Sequence, residues 1–327
     1  MDIAIYIVGL AMIVATALPI LSHRAWWIRI LDFPRLQIVF LIVATIAAHI
    51  VFVGLRSWFD VVFLILLAAS LVHQGYMMFP YTPLAKRQVA DSRQNDPESM
   101  IALLVANVLM DNRRSADLLK IIREADPELI LLAETDGWWL EQVDELAADY
   151  PFVVRQPQDN TYGMLLYSRL ELIDPVVKFI VQDDVPSISS RVRLRSGKVI
   201  EIRCLHPRPP FPTEDSSSAP RDAELLIIGK EKREDDAPYI VFGDLNDVAW
   251  SRTNYLFRNI SGLLEPRVGR SFFHTFPAGI PLIRFPLDHF FHSNHFRLAD
   301  FKRLAYYGSD HFPVYIKLSL ESDAEFE

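Results

Sequence analysis

Cysteine is nearly missing from this chain: Cys204 is the single thiol among 327 residues. That excludes an intrachain disulfide and any zinc site built on cysteines. Internal repeats of about 20 to 50 residues are also missing, and the one low-complexity run is the short TEDSSSAP stretch at 213–220. Basic charge is scarce over most of the length. Residues 90–327 hold 27 Lys/Arg against 38 Asp/Glu, a net of −11, so this part lacks the broad positive field that draws proteins to nucleic acid regardless of sequence. A basic leader is lacking as well. Ala15-Thr16-Ala17 loosely resembles a signal-peptide cleavage site, but Met1-Asp2 supplies no positive n-region and two further apolar runs follow, so a retained membrane segment is expected rather than a cleaved signal.

What the chain has in excess is apolar sequence, at 51% hydrophobic residues and a mean hydropathy of +0.16, concentrated near the N-terminus. Ile3–Leu21 is nineteen residues without a formal charge, about 28 Å as a helix and close to the hydrocarbon thickness of a bilayer. Ile38–Leu55 and Val61–Phe79 are two more such runs, leaving little polar face for packing in water. Residues 1–85 are therefore expected to form a membrane domain of three transmembrane helices, integral and multi-pass, of the bacterial inner-membrane type. Arg24, Arg29 and Arg35 follow the first run and Lys86, Arg87 and Arg93 the third, while the second connection offers Arg56 against Asp60. The positive-inside rule then puts the C-terminal part in the cytoplasm. Trp26, Trp27, Trp58 and Tyr76 fall where interfacial aromatics belong.

Lys86–Ser99 is polar and without hydrophobic periodicity, and is expected as a linker (86–99) ahead of a catalytic domain (100–320) and a short tail (321–327). Within that domain apolar strand-like runs alternate with intermittent helices: MIALLVAN, the amphipathic SADLLKIIREA, ELILLAE, YGMLLYS, LIDPVVKFIV, SRVRLRS, KVIEIRCLH, a helix bearing Arg221 and Glu224, YIVFGDLN, PLDHFF and SDHFPVYIKLSL. The pattern is α+β and not a regular βαβ series, and it predicts two packed sheets covered by helices.

Polar groups recur where apolar strands give way to loops: Asn107, Glu134, His206, Asp244 with Asn246, Asp288, and Asp310 with His311. Taken singly each has an ordinary explanation. Asn and Asp form turns, and Asp-His caps helices or sits in solvent. Glu134 is harder to dismiss, because a carboxylate ending so apolar a strand is costly to bury without a cation. Together they form a coherent inventory of hard oxygen ligands for a magnesium-type ion and histidines able to move protons.

In order and spacing, Asn107, Glu134, GDLN, Asp288-His289 and GSDHFP resemble the motif series of the endonuclease/exonuclease/phosphatase superfamily, over roughly residues 100–320. The resemblance implies a four-layer α/β/β/α sandwich, two packed mixed sheets flanked by helices, preceded here by the three transmembrane helices. It implies Mg2+ (or Mn2+) held by Glu134, with Asn107 beside it and Asp310 close to the same ion. His311, oriented by Asp288, would activate the attacking water or stabilise the scissile phosphate. Asn246 would hold a phosphoryl oxygen, Asp244 would position the nucleophile or handle a proton, and His206 would contact the phosphate. Tyr162, Arg208 and Arg221 are candidate substrate contacts, the arginines from the RPPFPTEDSSSAPR loop after His206.

The physics suits that division of roles. In-line displacement at phosphorus needs neutralised nonbridging oxygens, an aligned water and a proton acceptor near neutral pH. Two departures from the family pattern stand out: Leu109 stands where many nucleases of the family carry Asn or Asp, which removes one outer metal contact, and Ala133 precedes the glutamate with no lysine after it, which disfavours DNA repair. The expected function is a membrane-anchored, metal-dependent phosphoesterase whose partners are the lipid bilayer and a phosphoester substrate, a phospholipid headgroup or other membrane-proximal phosphoester being favoured. No specific protein partner can be inferred. The alternatives are a membrane-tethered nuclease and a non-catalytic phospho-ligand-binding relative.

Overall fold

The computed structural model describes residues 2–321 except 22, 94, 95 and 235; the expected tail lies outside the described residues beyond 321. Three N-terminal helices are long and apolar enough to cross a membrane: Asp2–Ile20, Arg35–Val53 and Trp58–Tyr81. They contain α1 (Asp2–Ala17), α3 (Arg35–Ala48) with a π turn at His49–Val53, and α4 (Trp58–Met78); α2 (Trp26–Arg29) is one turn in the first connection. Ile38, Ile42, Phe63 and Leu67 pack where the helices meet, whereas Ile3, Phe40, Val51 and Val72 are each more than 70% exposed. Apolar groups facing outward on this scale are what lipid contact requires. The second helix begins at Arg35, three residues before the expected Ile38, because its guanidinium is buried between Asp32 Oδ1 at 2.5 Å and Gln74 Oε1 at 2.8 Å.

The remainder is a sandwich of two mixed sheets. Its strands are β1 (Met100–Asn107), β2 (Leu129–Ala133), β3 (Phe152–Gln156), β4 (Met164–Ser168), β5 (Glu171–Lys178), β6 (Ser187–Arg193), β7 (Val199–Leu205), β8 (Tyr239–Asp244), β9 (Asp288–His292), β10 (Phe296–Arg303) and β11 (Val314–Leu320). One sheet runs β10-β11-β1-β2-β4-β3 and the other β5-β6-β7-β8-β9. Strand alternation assigns the layers. In β1, Ile101, Leu103 and Val105 face the inter-sheet core together with Ile240 and Phe242 of β8. The alternate β1 residues Leu104 and Ala106 meet helices α5 (Ser115–Ala125) and α6 (Gly137–Val143) through Leu118, Ile122 and Trp139. Tyr239 and Val241, on the other face of β8, meet α7 (Ala219–Arg233) and α8 (Arg252–Ser261) through Leu225, Ile228 and Phe257. Burial on both faces explains why β1, β2 and β8 read as continuous apolar runs. Each buried aliphatic or aromatic side chain contributes about 1.5–3 kcal/mol.

Parallel pairing occurs once in each sheet, β1 with β2 and β7 with β8. Parallel neighbours end at the same edge, so Asn107, Glu134, His206 and Asp244 reach one rim of the sandwich. The antiparallel β9 starts from that rim at Asp288.

Residues 88–90 of the expected linker (86–99) pack on the sandwich, and 94 and 95 lie outside the described residues. Val89 is buried in the inter-sheet core, Ala90 O accepts from Leu298 N at 3.0 Å, and Gln88 N donates to Val268 O at 3.4 Å. One apolar residue at the right place is enough to seat a polar segment, and hydrophobic periodicity does not register it. The apolar helices dock on the sandwich as well. Met78 and Tyr81 pack with Val248, Ala249, Trp250 and Leu287, Trp250 Nε1 donates to Asp32 O at 2.7 Å, and Tyr81 OH donates to Ala249 O at 2.5 Å.

Candidate active site

Asn107 closes β1, and its carbonyl accepts from Tyr307 OH at 2.5 Å and Ser309 Oγ at 2.7 Å. Its side-chain amide donates to Glu134 Oε1 at 2.7 Å and Asp244 Oδ2 at 3.0 Å, joining the two sheets. Glu134 follows β2 in the left-handed region at φ 60°, and Asn246 sits two residues past β8 at φ 51°. Asn tolerates that conformation; a glutamate there is unusual, and such strain gathers at functional sites. Gly243, just before Asp244, has φ 145°, and a Cβ there would lie 1.9 Å from Leu205 O, so glycine is required for β7 and β8 to approach.

His311 is buried, with Nδ1 2.9 Å from Asp288 Oδ2 and Nε2 3.5 Å from Asp244 Oδ2. The Asp288 contact fixes the ring's orientation and directs Nε2 toward Asp244. Burial works against the charged imidazole, but Asp288, Asp244 and Asp310 outweigh it and raise His311 to about 10. A charged His311 is suited to stabilising a developing anion or donating a proton. His206, 2% exposed, places Nε2 3.8 Å from Asp244 Oδ2 and 4.0 Å from Glu134 Oε1.

Glu134, Asn246, Asp310 and His311 open into one cavity of about 590 Å³. The same cavity has an apolar lining, with Ile30, Leu31 and Phe33 from the connection between α1 and α3, Phe211 from the loop after β7, and Phe276 and Phe285 from the segment before β9. Phe276 lies 4.8 Å from the His311 ring, centroid to centroid, and Ala278 N donates to Asp310 O at 2.6 Å.

The family model for the Endonuclease/Exonuclease/phosphatase family matches residues 104–311. The chain belongs to this family. It is similar in fold to D. rerio TDP2 in a structure complexed with single strand DNA product, at 16% identity and TM-score 0.55, covering 68% of this chain and 99% of that one. The human Nocturnin catalytic domain with bound sulfate anion is similar at 17% identity and TM-score 0.56, covering 71% and 97%. An endonuclease/exonuclease/phosphatase from Bacteroides vulgatus is similar at 15% identity and TM-score 0.55, covering 68% and 100%. None of the curated proteins matches the chain. The two mixed sheets flanked by helices are the family's fold, and family members of the nuclease and phosphatase type are phosphoester hydrolases.

The family's reliance on divalent metals raises the question of which residues here fit an ion. Burial, and the nearby charge of Asp310, push the Glu134 carboxyl up, opposed by His206, Asn107 and His311. Two carboxylates facing one cavity under these conditions form a site that a cation stabilises. Among the described residues the group with metal-ligand spacing is Asp244, Asp288 and His311, whose ligand atoms lie within 4.8 Å of one another. His311 Nδ1 is engaged there by Asp288, and in the expected set the Asn107 amide bridges Glu134 and Asp244 while its Oδ1 accepts from Leu109 N.

Three candidate substrate contacts stand apart from this cluster. Arg221 is 1% exposed and turned inward: Nη1 donates to Asn246 O at 2.7 Å, and Nη2 meets Asp247 Oδ2 at 3.2 Å. It braces the loop that carries Asn246 and does not line the cavity, a correction to the role expected for it. Arg208 pairs with Asp184 at 2.5 Å and rests 4.9 Å from the Tyr162 ring centre. Tyr162 is buried beside His206 and donates to Glu214 Oε2 at 2.5 Å. Glu214 itself lines the cavity, so Tyr162 and Arg208 support that rim from behind. Sequence reasoning missed Asp247, which accepts from Ser251 Oγ at 2.6 Å, and Ser309, which accepts from His311 N at 3.0 Å. Ser309 lies inside the GSDHFP motif and was findable; the apolar wall, assembled from three distant segments, left no local signal.

Proposed function

We propose that this chain is a membrane-anchored, divalent-metal-dependent phosphoesterase whose substrate carries an apolar group beside the scissile phosphoester, as a phospholipid or other amphiphile does. The observation that carries this reading is the joint cavity, lined both by Glu134, Asn246, Asp310 and His311 and by Ile30, Leu31, Phe33, Phe211, Phe276 and Phe285. A free nucleic-acid backbone gains little from such a wall, whereas an acyl or isoprenoid chain gains about 25 cal/mol for each Å² it removes from water.

Glu134, Asn107 and Asp310 would hold Mg2+ or Mn2+, which when bound neutralises charge on the phosphoryl oxygens. In this reading Asn246 holds a phosphoryl oxygen, Asp244 orients the attacking water and accepts its proton, and the His311 imidazolium, held by Asp288, stabilises the pentacoordinate transition state. His206 adds a second donor to the phosphate. The catalytic part lies on the cytoplasmic side. The connection between α1 and α3 and the segment after α4 carry Arg24, Lys86 and Arg87, and the positive-inside rule reads them so.

The competing reading is a membrane-tethered nuclease, for which the similarity to D. rerio TDP2 with its single strand DNA product is the relevant observation. The net charge of −11 over residues 90–327 opposes it, since nonspecific DNA binding depends on counterion release through Lys and Arg. Purified full-length protein with magnesium, offered phospholipids, single-stranded DNA and supercoiled plasmid, should hydrolyse the lipid in an EDTA-sensitive way and barely nick the plasmid. Rapid EDTA-sensitive nicking that vanishes in His311→Ala would replace the lipid reading with the nuclease.

A further inference from the structure

Behind the catalytic cavity, on the outer face of the 276–285 segment, lies a second groove of about 740 Å³. One side is the first turns of α3, with Leu36, Phe40 and Leu41; the other is Leu282, Ile283 and Arg284, with Arg303 of β10 at its head. Gln37 Nε2 donates to Leu282 O at 3.0 Å, which fixes the segment against the helix. Leu282 is 87% exposed and Phe40 73%, so the apolar floor is open outward.

The polar end is unusual. Arg284 and Arg303 rest on one ring, 4.9 Å and 4.3 Å from the Phe312 centre. Their recorded hydrogen bonds go to carbonyl oxygens, Arg284 to Ala278 O at 2.7 Å and Arg303 to His274 O at 2.9 Å. Among the described residues no carboxylate pairs with either, although most arginines of this acidic chain have one. Arg303, exposed overall, is held below its ordinary value by partial desolvation and then by Arg284, and His274 beside them is pushed down to about 4 by burial together with Arg267, Arg303 and Arg284. Two guanidiniums resting on the same ring without a carboxylate leave positive charge that a bound anion would neutralise. Phe40 is five residues beyond Arg35, about 7.5 Å along the helix, so an anion at the arginines has an apolar path descending beside it.

We propose that this groove binds an anionic phospholipid of the surrounding bilayer, its headgroup phosphate on Arg284 and Arg303 and its acyl chain along Phe40 and Leu41. The site rests on reading α3 as membrane-spanning and is independent of what the catalytic cavity hydrolyses. Anionic headgroups settle in basic pockets at the ends of spanning helices, and the guanidinium fork suits a phosphate. Because Phe276 and Phe285 of the same segment wall the catalytic cavity, a lipid held here also steadies that wall.

Native mass spectrometry of the full-length protein in detergent tests the site, with phosphatidylglycerol and phosphatidylcholine of matched chains as probes. The expected result is one retained phosphatidylglycerol, preferred at least tenfold. That preference should be lost in the Arg284→Gln/Arg303→Gln double variant, reduced in Arg303→Gln alone, where the side chain is exposed and folding is not at stake, and kept in Lys302→Gln. Equal retention of the two lipids, or a preference surviving in both arginine variants, overturns the proposal. So does displacement by inorganic phosphate at lipid-like concentrations, which makes the ligand a free anion. Extraction of native membranes with alkaline carbonate separates the two levels: a chain released by it contradicts the membrane reading, whereas a retained chain that binds both lipids alike contradicts only this site.

Discussion

The rim of the sandwich and the connection between α1 and α3 line one cavity, and they are built by opposite rules. The rim is polar, buried and over-determined: Asn107 alone is held through its carbonyl by Tyr307 and Ser309 and through its amide to Glu134 and Asp244. The wall is apolar and comes from segments that only tertiary packing brings together, with Asp32 anchored to Trp250 behind Leu31 and Phe33. The contrast separates two tasks. In the function proposed above, the rim would supply the phosphoester chemistry and the wall, drawn partly from the N-terminal segment, would select among substrates.

The largest expected effect breaks the rim and spares the wall. His311→Ala and Glu134→Ala should each reduce turnover on the best substrate by several orders of magnitude while the protein stays folded, since each removes a contact made to the transition state. Single-turnover kinetics together with a melting curve check this; near wild-type turnover in a well-folded variant would remove that residue from the site. Asp288→Asn keeps the shape but withdraws the charge from His311, and a loss of about 10²–10⁴-fold is expected. A smaller effect sharpens the other half of the comparison. Leu31→Ser and Phe211→Ser should lower kcat/KM for a long-chain substrate about tenfold, the equivalent of roughly 1.4 kcal/mol, and change a water-soluble phosphodiester much less. Equal losses on both substrates would mean the wall supports the rim and does not select.

A further effect lies outside the cavity and falls on stability, with turnover untouched. Glu224 on α7 is 4% exposed, and burial raises its carboxyl to about 8. Folded protein therefore keeps this proton where the unfolded chain, near 4.5, has released it. The sign follows: Glu224 costs nothing below the unfolded value, and stability falls as pH rises through the window up to about 8, by up to about 1.4 kcal/mol per pH unit. Glu224→Gln should melt progressively higher than wild type as pH goes from 5 to 8. A difference that does not vary with pH would mean Glu224 is not carrying that proton.

Much of the rim was legible because strand burial forces it. A run such as LILLA ends abruptly at Glu134, and in YIVFGD the alternating residues serve two cores before Asp244 breaks the pattern. The family resemblance then added roles that periodicity does not carry. Other elements escaped for physical reasons. β10, FRLADFKR, is an edge strand with charges and a register shift between Leu298 and Asp300, so its alternation is blurred. α6 is seven residues long and α8 has a polar face broad enough to read as loop; their caps, Asp136 onto Trp139 N and Ser251 onto Asn254 N, were the available signals. Arg221 looked like a loop cation near a phosphate, and nothing local reveals that its partners are Asn246 O and Asp247, 25 and 26 residues further on. The apolar wall was the least legible, since Leu31, Phe211 and Phe285 meet only once the N-terminal helices dock on the sandwich.

The central claim is that one cavity joins family chemistry to an apolar wall, and one ratio tests it most directly. It is kcat/KM of the full-length protein in detergent, with magnesium, for two phosphoesters with the same headgroup, one bearing a long acyl chain and one a methyl in its place. The account predicts at least a tenfold preference for the long chain, falling toward unity in a Leu31→Ser/Phe211→Ser variant. Equal values in the wild type, or a preference that survives in that variant, would contradict it.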